Sequence, residues 1–165
     1  MSATEVVNAA ASVWKIIEDG KPSSQINSST ANAVPKVDDW QSVVGAKGPL
    51  RIKRRLSNQV GWPFDDYLNV DIQIHLLFEY GATYNSGGLF IPNIYVEVPE
   101  CFLGWNYHAD IDIHVHNPSN DNESNPKSPI AKVPVSVSGT YGCPFWSERI
   151  EWGYTLWGNG RWEAN

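Results

Sequence analysis

The chain has 165 residues, a formal net charge of −6 at pH 7, 42% hydrophobic residues and 18% charged ones. That balance is globular and sufficient for one domain with its own core. An acidic chain with a single short basic run argues against nucleic acid as a partner, because phosphate affinity comes from Lys and Arg, and it would be repelled by anionic lipid.

Met1–Asp19 has no basic leader and no continuous apolar core, so neither a signal peptide nor a transmembrane run is legible. The chain is then either mature or released by a non-classical route. Residues 2–19 are expected to form an amphipathic helix. Ser2 and Glu5 have capping-box spacing, Val6, Ala10, Val13 and Ile17 share one helical face, and Gly20 and Pro22 supply a stop. Residues 21–49 are rich in Ser, Asn, Pro and Gly and are expected to be a connector, with a turn near Asp38–Val44 anchored by Trp40, Val43 and Val44.

From residue 50 to 165 the pattern is that of a β protein. Leu50–Leu56 alternates, with Arg51, Lys53 and Arg55 on one face. Tyr67–Tyr80 places Leu68, Val70, Ile72, Ile74, Leu76 and Phe78 on one side and Asn69, Asp71, Gln73, His75 and Glu79 on the other. A Gly/Asn/Ser turn at 81–88 leads into Phe90–Val98. The strand Leu103–His116 follows, then a polar loop to Pro129. Ala131–Ser138 and Arg149–Trp157 complete the series. The expected fold is a mainly β, antiparallel β-sandwich with one N-terminal amphipathic helix, in a single domain. Cys101 and Cys143 are expected to be core thiols.

The stretch 108–116 carries three of the four histidines, and His108, Asp110, Asp112, His114 and His116 share its polar face. Imidazole and carboxylate together suit zinc or a similar divalent ion. With His75 from a neighbouring strand, the set His75, Asp110, Asp112, His114 and His116 is a candidate metal site. The simpler reading is a solvated face, with Arg51, Lys53 and Arg55 as charge partners of Asp110 and Asp112. No Gly-x-Ser-x-Gly, His-Glu-x-x-His or phosphate-binding glycine loop occurs, and no cofactor or catalytic residue is expected.

Eight Trp, seven Tyr and five Phe exceed what one core absorbs. Aromatics in turns offer an apolar body and a polar tip, suited to sugar rings or to the headgroup layer of a membrane. Trp62, Tyr84, Trp105, Trp146 and Trp157 are the candidate ligand-binding residues. Gly-Trp-Pro-Phe (61–64) and Gly-Cys-Pro-Phe (142–145) are alike. The layout of amphipathic helix, linker and aromatic-rich β region is similar to that of actinoporin-type and aegerolysin-type cytolysins. The similarity is architectural and assigns no family.

The expectation is therefore a non-enzymatic protein that binds membrane lipid or glycan, cytolysin-like if Thr4–Glu18 inserts. The alternatives are a soluble lectin, a metal-dependent enzyme on the His/Asp face, and a self-assembling structural protein forming homo-oligomers.

Overall fold

A computed structural model describes residues 5–9, 13–19, 30–60, 67–104 and 106–165. The described chain is almost entirely β. Its strands are β1 (Val6–Val7), β2 (Val13–Asp19), β3 (Ala31–Pro35), β4 (Lys47–Val60), β5 (Tyr67–Tyr80), β6 (Ala82–Tyr84), β7 (Gly87–Leu103), β8 (His108–Val115), β9 (Ser119–Asn120), β10 (Ala131–Cys143), β11 (Trp146–Trp157) and β12 (Trp162–Ala164). They form two six-stranded antiparallel sheets. The first runs β1-β3-β7-β5-β4 with β6 alongside β7; the second runs β12-β11-β10-β8-β2 with β9 alongside β10.

Alternation decides which face of each sheet is dry. Val70, Ile72, Ile74, Leu76 and Phe78 of β5 are buried, as are Ala109, Ile111, Ile113 and Val115 of β8, and both sets belong to one core cluster. Cross-strand register extends each stripe sideways: Ile52 lies opposite Leu76 and Leu56 opposite Ile72, while Val137 lies opposite Ile113 and Trp152 opposite Val137. The inward-facing residues of both sheets thus share one core. Gly139 continues the inward row of β10 opposite Ile111, and a Cβ there would stand 2.1 Å from the Asp110 carbonyl oxygen. Only glycine allows that backbone approach.

Backbone hydrogen bonds also tie the sheets together at one end. The Gly81 amide donates to the Gly158 carbonyl (2.8 Å) and the Leu89 amide to that of Pro129 (2.8 Å). Cys101 and Cys143, on different sheets, are not joined in a disulfide. No described helix is long and apolar enough to cross a membrane.

Two expectations need correction. Val13–Asp19 is not helical: it is β2, paired antiparallel along β8, with Ile16 opposite Ile111 and Lys15 opposite Asp112. Its apolar spacing fits a helix as well as a strand. The Val-Trp-Lys-Ile-Ile run is β-branched, however, and the open edge of β8 offers a full ladder of backbone partners. The rest of the expected helix, apart from residues 5–9, lies outside the described residues. The expected connector 21–49 contains β3, whose five residues are all buried between β1 and β7. Asn32, 1% exposed, holds this segment in place: its Oδ1 accepts the Ala9 amide at 2.7 Å, and its own amide donates to Asn8 Oδ1 at 3.2 Å.

Ile113 is fully buried where the sheets meet. Ile113→Ala is expected to cost about 2–5 kcal/mol of unfolding free energy, read from the urea midpoint. His114→Ala, on the exposed face beside it, should stay within about 0.5 kcal/mol of the parent.

Candidate functional site

Strand register sorts the candidate residues by position. The pairs Val60↔Tyr67, Val70↔Leu103, His108↔Gly142 and Cys143↔Trp146 all lie toward the same end of the two sheets. Trp62 and Trp105 fall outside the described residues, in the connections that begin and finish at this end. Trp146 is half-buried there. Its ring meets Tyr107 edge-on at 5.9 Å between centroids and Tyr141 at 6.0 Å. Such pairings fix ring orientation and add roughly 0.5–1.5 kcal/mol each beyond simple burial. The Tyr141 hydroxyl donates to Glu148 at 2.5 Å. Burial first, and this bond second, push the Tyr141 phenol up to about 12. Burial, together with the neighbouring Cys143 thiol, also raises the Tyr107 phenol.

Over this ring cluster runs the two-residue turn Pro144-Phe145 between β10 and β11. Phe145 is 91% exposed, the most exposed large apolar side chain among the described residues. Gly142 permits the turn, since a Cβ there would stand 2.3 Å from the Trp146 carbonyl oxygen. Phe102, 48% exposed, lies near the same end on the outer face of β7. The site residues read from sequence did not include Phe145. The legible signal was an apolar ring in a position where hairpins normally place Asn, Asp or Gly.

Tyr84 and Trp157 belong to the opposite end. Trp146 and Trp157 are the first and last residues of β11, about 35–40 Å apart at strand spacing. Trp157, a candidate ligand contact in the sequence, is only 6% exposed. Its indole N–H donates to Asp121 at 3.0 Å, and the Arg161 guanidinium covers its ring at 4.4 Å. Loop residue Asp121 and the β12 turn enclose it. The Tyr84 hydroxyl donates to Asp39 at 2.6 Å, and that bond is the main cause raising its phenol. The five aromatic candidates therefore do not form one site.

The candidate metal residues are divided in the same way. His75 lies on the outer face of β5 in the first sheet, between Lys53 on β4 and Glu97 on β7. Asp110, Asp112 and His114 lie on the outer face of β8 in the second sheet, opposite Thr140, Ser138 and Ser136. The shared core stands between the two faces. The rings of His114 and His116 lie with centroids 4.3 Å apart, tilted by 52°, and His116 Nε2 meets Ser136 Oγ at 2.8 Å. No cluster of three or more metal-capable side chains occurs among the described residues.

The expected pairing of Asp110 and Asp112 with Arg51, Lys53 and Arg55 is replaced by pairing within the first sheet. Arg55 grips Asp71 through two bonds, Nε to Oδ1 at 2.7 Å and Nη2 to Oδ2 at 2.8 Å, while Arg51 reaches Glu97 at 3.8 Å. The reason is topological. β4 pairs with β5, whereas β8 belongs to the other sheet and has Lys15 of β2 opposite Asp112.

Burial, and after it the nearby Arg51 and Lys53, hold the His75 imidazole below its ordinary value of 6.5; Glu97 opposes them. The residue is 8% exposed. Between the lowered folded value and 6.5, the unfolded chain binds more protons than the folded one. Stability therefore declines as pH falls through that window, and the full penalty is present below it. His75→Gln should flatten the pH dependence of Tm between about pH 7.5 and 5. A variant with the parent's slope would assign that dependence to other groups.

No known protein family, curated protein or solved structure matches this chain.

Proposed function

We propose that the two sheets stack as a β-sandwich and that the protein acts by binding, docking on zwitterionic lipid through the end that carries Phe145 and Trp146. The observation behind this reading is Phe145 itself, 91% exposed on a two-residue turn. An exposed phenyl group gains by leaving water, and with no polar atom it enters the apolar side of the headgroup layer without leaving a donor or acceptor unpaired. Beneath it, the half-buried Trp146 and Tyr107 supply the amphipathic rings that favour the headgroup layer. Net charge supports the choice of lipid, because a chain at −6 is repelled by an anionic surface.

This docking needs no mobile helix. The cytolysin-like version with Thr4–Glu18 as an insertable helix loses its element, since Val13–Asp19 is strand β2.

Burial of one Phe side chain is worth about 1.5–3 kcal/mol, so Phe145→Asp should weaken partitioning onto phosphatidylcholine vesicles by more than tenfold. The parent should float with the vesicles and shift its Trp emission to the blue. It should bind vesicles rich in phosphatidylserine less well at low salt. Equal flotation of the parent and Phe145→Asp, or no flotation of the parent, would remove this reading.

A further inference from the structure

A groove of about 310 Å³ lies beside the turn that precedes β4, far from Phe145. Its walls include Trp40, Gln41 and Val44 from that turn, Glu79 from β5, and Pro92 and Asn93 from β7. We propose that this groove is a binding site for a neutral pyranose sugar, independent of the lipid-docking end.

The chemistry of the walls carries the assignment. A pyranose presents a C–H face to be covered by an apolar ring and an equatorial rim of hydroxyl groups that need both donors and acceptors. Trp40 is half-buried and supplies the ring; Val44, 64% exposed, and Pro92 extend the apolar wall. On the other side the Asn93 amide donates to Glu79 Oε1 at 3.2 Å. That bond orients both groups: the second carboxylate oxygen remains an acceptor, and the Asn93 amide retains a second N–H and a carbonyl oxygen. Gln41, exposed, adds another donor and acceptor. The volume lies at the small end of ordinary ligand pockets, matching one ring of a glycan.

Charge excludes the main rivals. None of the described residues lining the groove is Lys, Arg or His, so none of them neutralises a phosphate or carboxylate ligand. A quaternary ammonium is ordinarily held by several aromatic faces, and Trp40 is the only aromatic residue among the described residues of the lining.

The site is also held in shape. The Ser42 amide donates to the Asp39 carbonyl (2.8 Å) and that of Val43 to Trp40 (3.3 Å). Val44 and Thr83 exchange two backbone bonds, at 3.0 and 2.9 Å. Tyr84 anchors Asp39 from β6. Gly45, at φ +82°, follows Val44 in a conformation that favours glycine. The backbone that carries Trp40 is thereby fixed before any ligand arrives, and binding need not order the loop.

The test is saturation-transfer NMR on the full chain, with the methyl glycosides of glucose, galactose, mannose and N-acetylglucosamine, and choline chloride as the cationic comparison. At least one glycoside should receive transfer and titrate with a millimolar Kd. Trp40→Ala should abolish the transfer, and Gln41→Ala, at an exposed position where folding is not at stake, should weaken it about threefold or more. Phe145→Asp should leave it unchanged. Transfer to choline alone, no transfer to any glycoside, or glycoside binding that survives both Trp40→Ala and Gln41→Ala would overturn the proposal. Because Phe145→Asp separates the two ends, failure here is distinct from failure of lipid docking.

Discussion

The rest of the molecule depends on the burial of two alternating apolar stripes, one from each sheet, in one core cluster. Neither sheet could stand alone with a face composed of Ile72, Ile74 and Leu76, or of Ile111, Ile113 and Val137. Each fully buried aliphatic side chain contributes about 1.5–3 kcal/mol, and together they outweigh any one surface contact. The period of two then forces every intervening residue outward. His75 on one sheet and His114 on the other are held apart for the same reason that Ile74 and Ile113 are held together.

The outer faces and open edges are managed by charge. β4 is a 14-residue edge strand, and Arg51, Lys53, Arg54 and Arg55 lie along it. Arg51 and Arg55 pair within their own sheet. Arg54 occupies an inward-facing position opposite Ile74 and lies over the Trp152 ring, 4.3 Å from its centroid, so the inter-sheet gap at this edge is capped by a cation. A long, basic edge is a poor template for a further strand, which discourages the edge-to-edge growth that a bare strand invites. The surface pairs with both partners exposed, such as Lys36–Glu5, contribute little to stability by comparison.

Aromatic residues take three different duties according to where the strands end. At one end they form an edge-packed cluster beneath an exposed Phe. In the other half of the molecule Trp157 and Tyr84 brace loops through Asp121 and Asp39. Beside them Trp40 remains half-open in a fixed turn. Tertiary position, rather than residue type, separates a brace from a contact surface: the same indole is sealed at 157 by Arg161 and left accessible at 40.

The sequence by itself determined the β class, the course of β5, the central parts of β8, β10 and β11, and the dry face of each, but it ran β8 back to Leu103, which ends β7. A period of two is a local property, and burial follows from it whatever the neighbouring strand is. It also located the turn at Trp40. Strand pairing is non-local, and beyond the turn at 81–88 that brings β7 back beside β5 the sequence did not specify it. It could not show that Arg55 meets Asp71 rather than Asp110, nor that the histidines divide between two faces. Nor could it show that Val13–Asp19, whose spacing fits a helix, completes the edge of β8. The aromatic candidates were legible as residues but not as sites, because a site requires convergence in space. Only the meeting of the two sheets decided which of them converge.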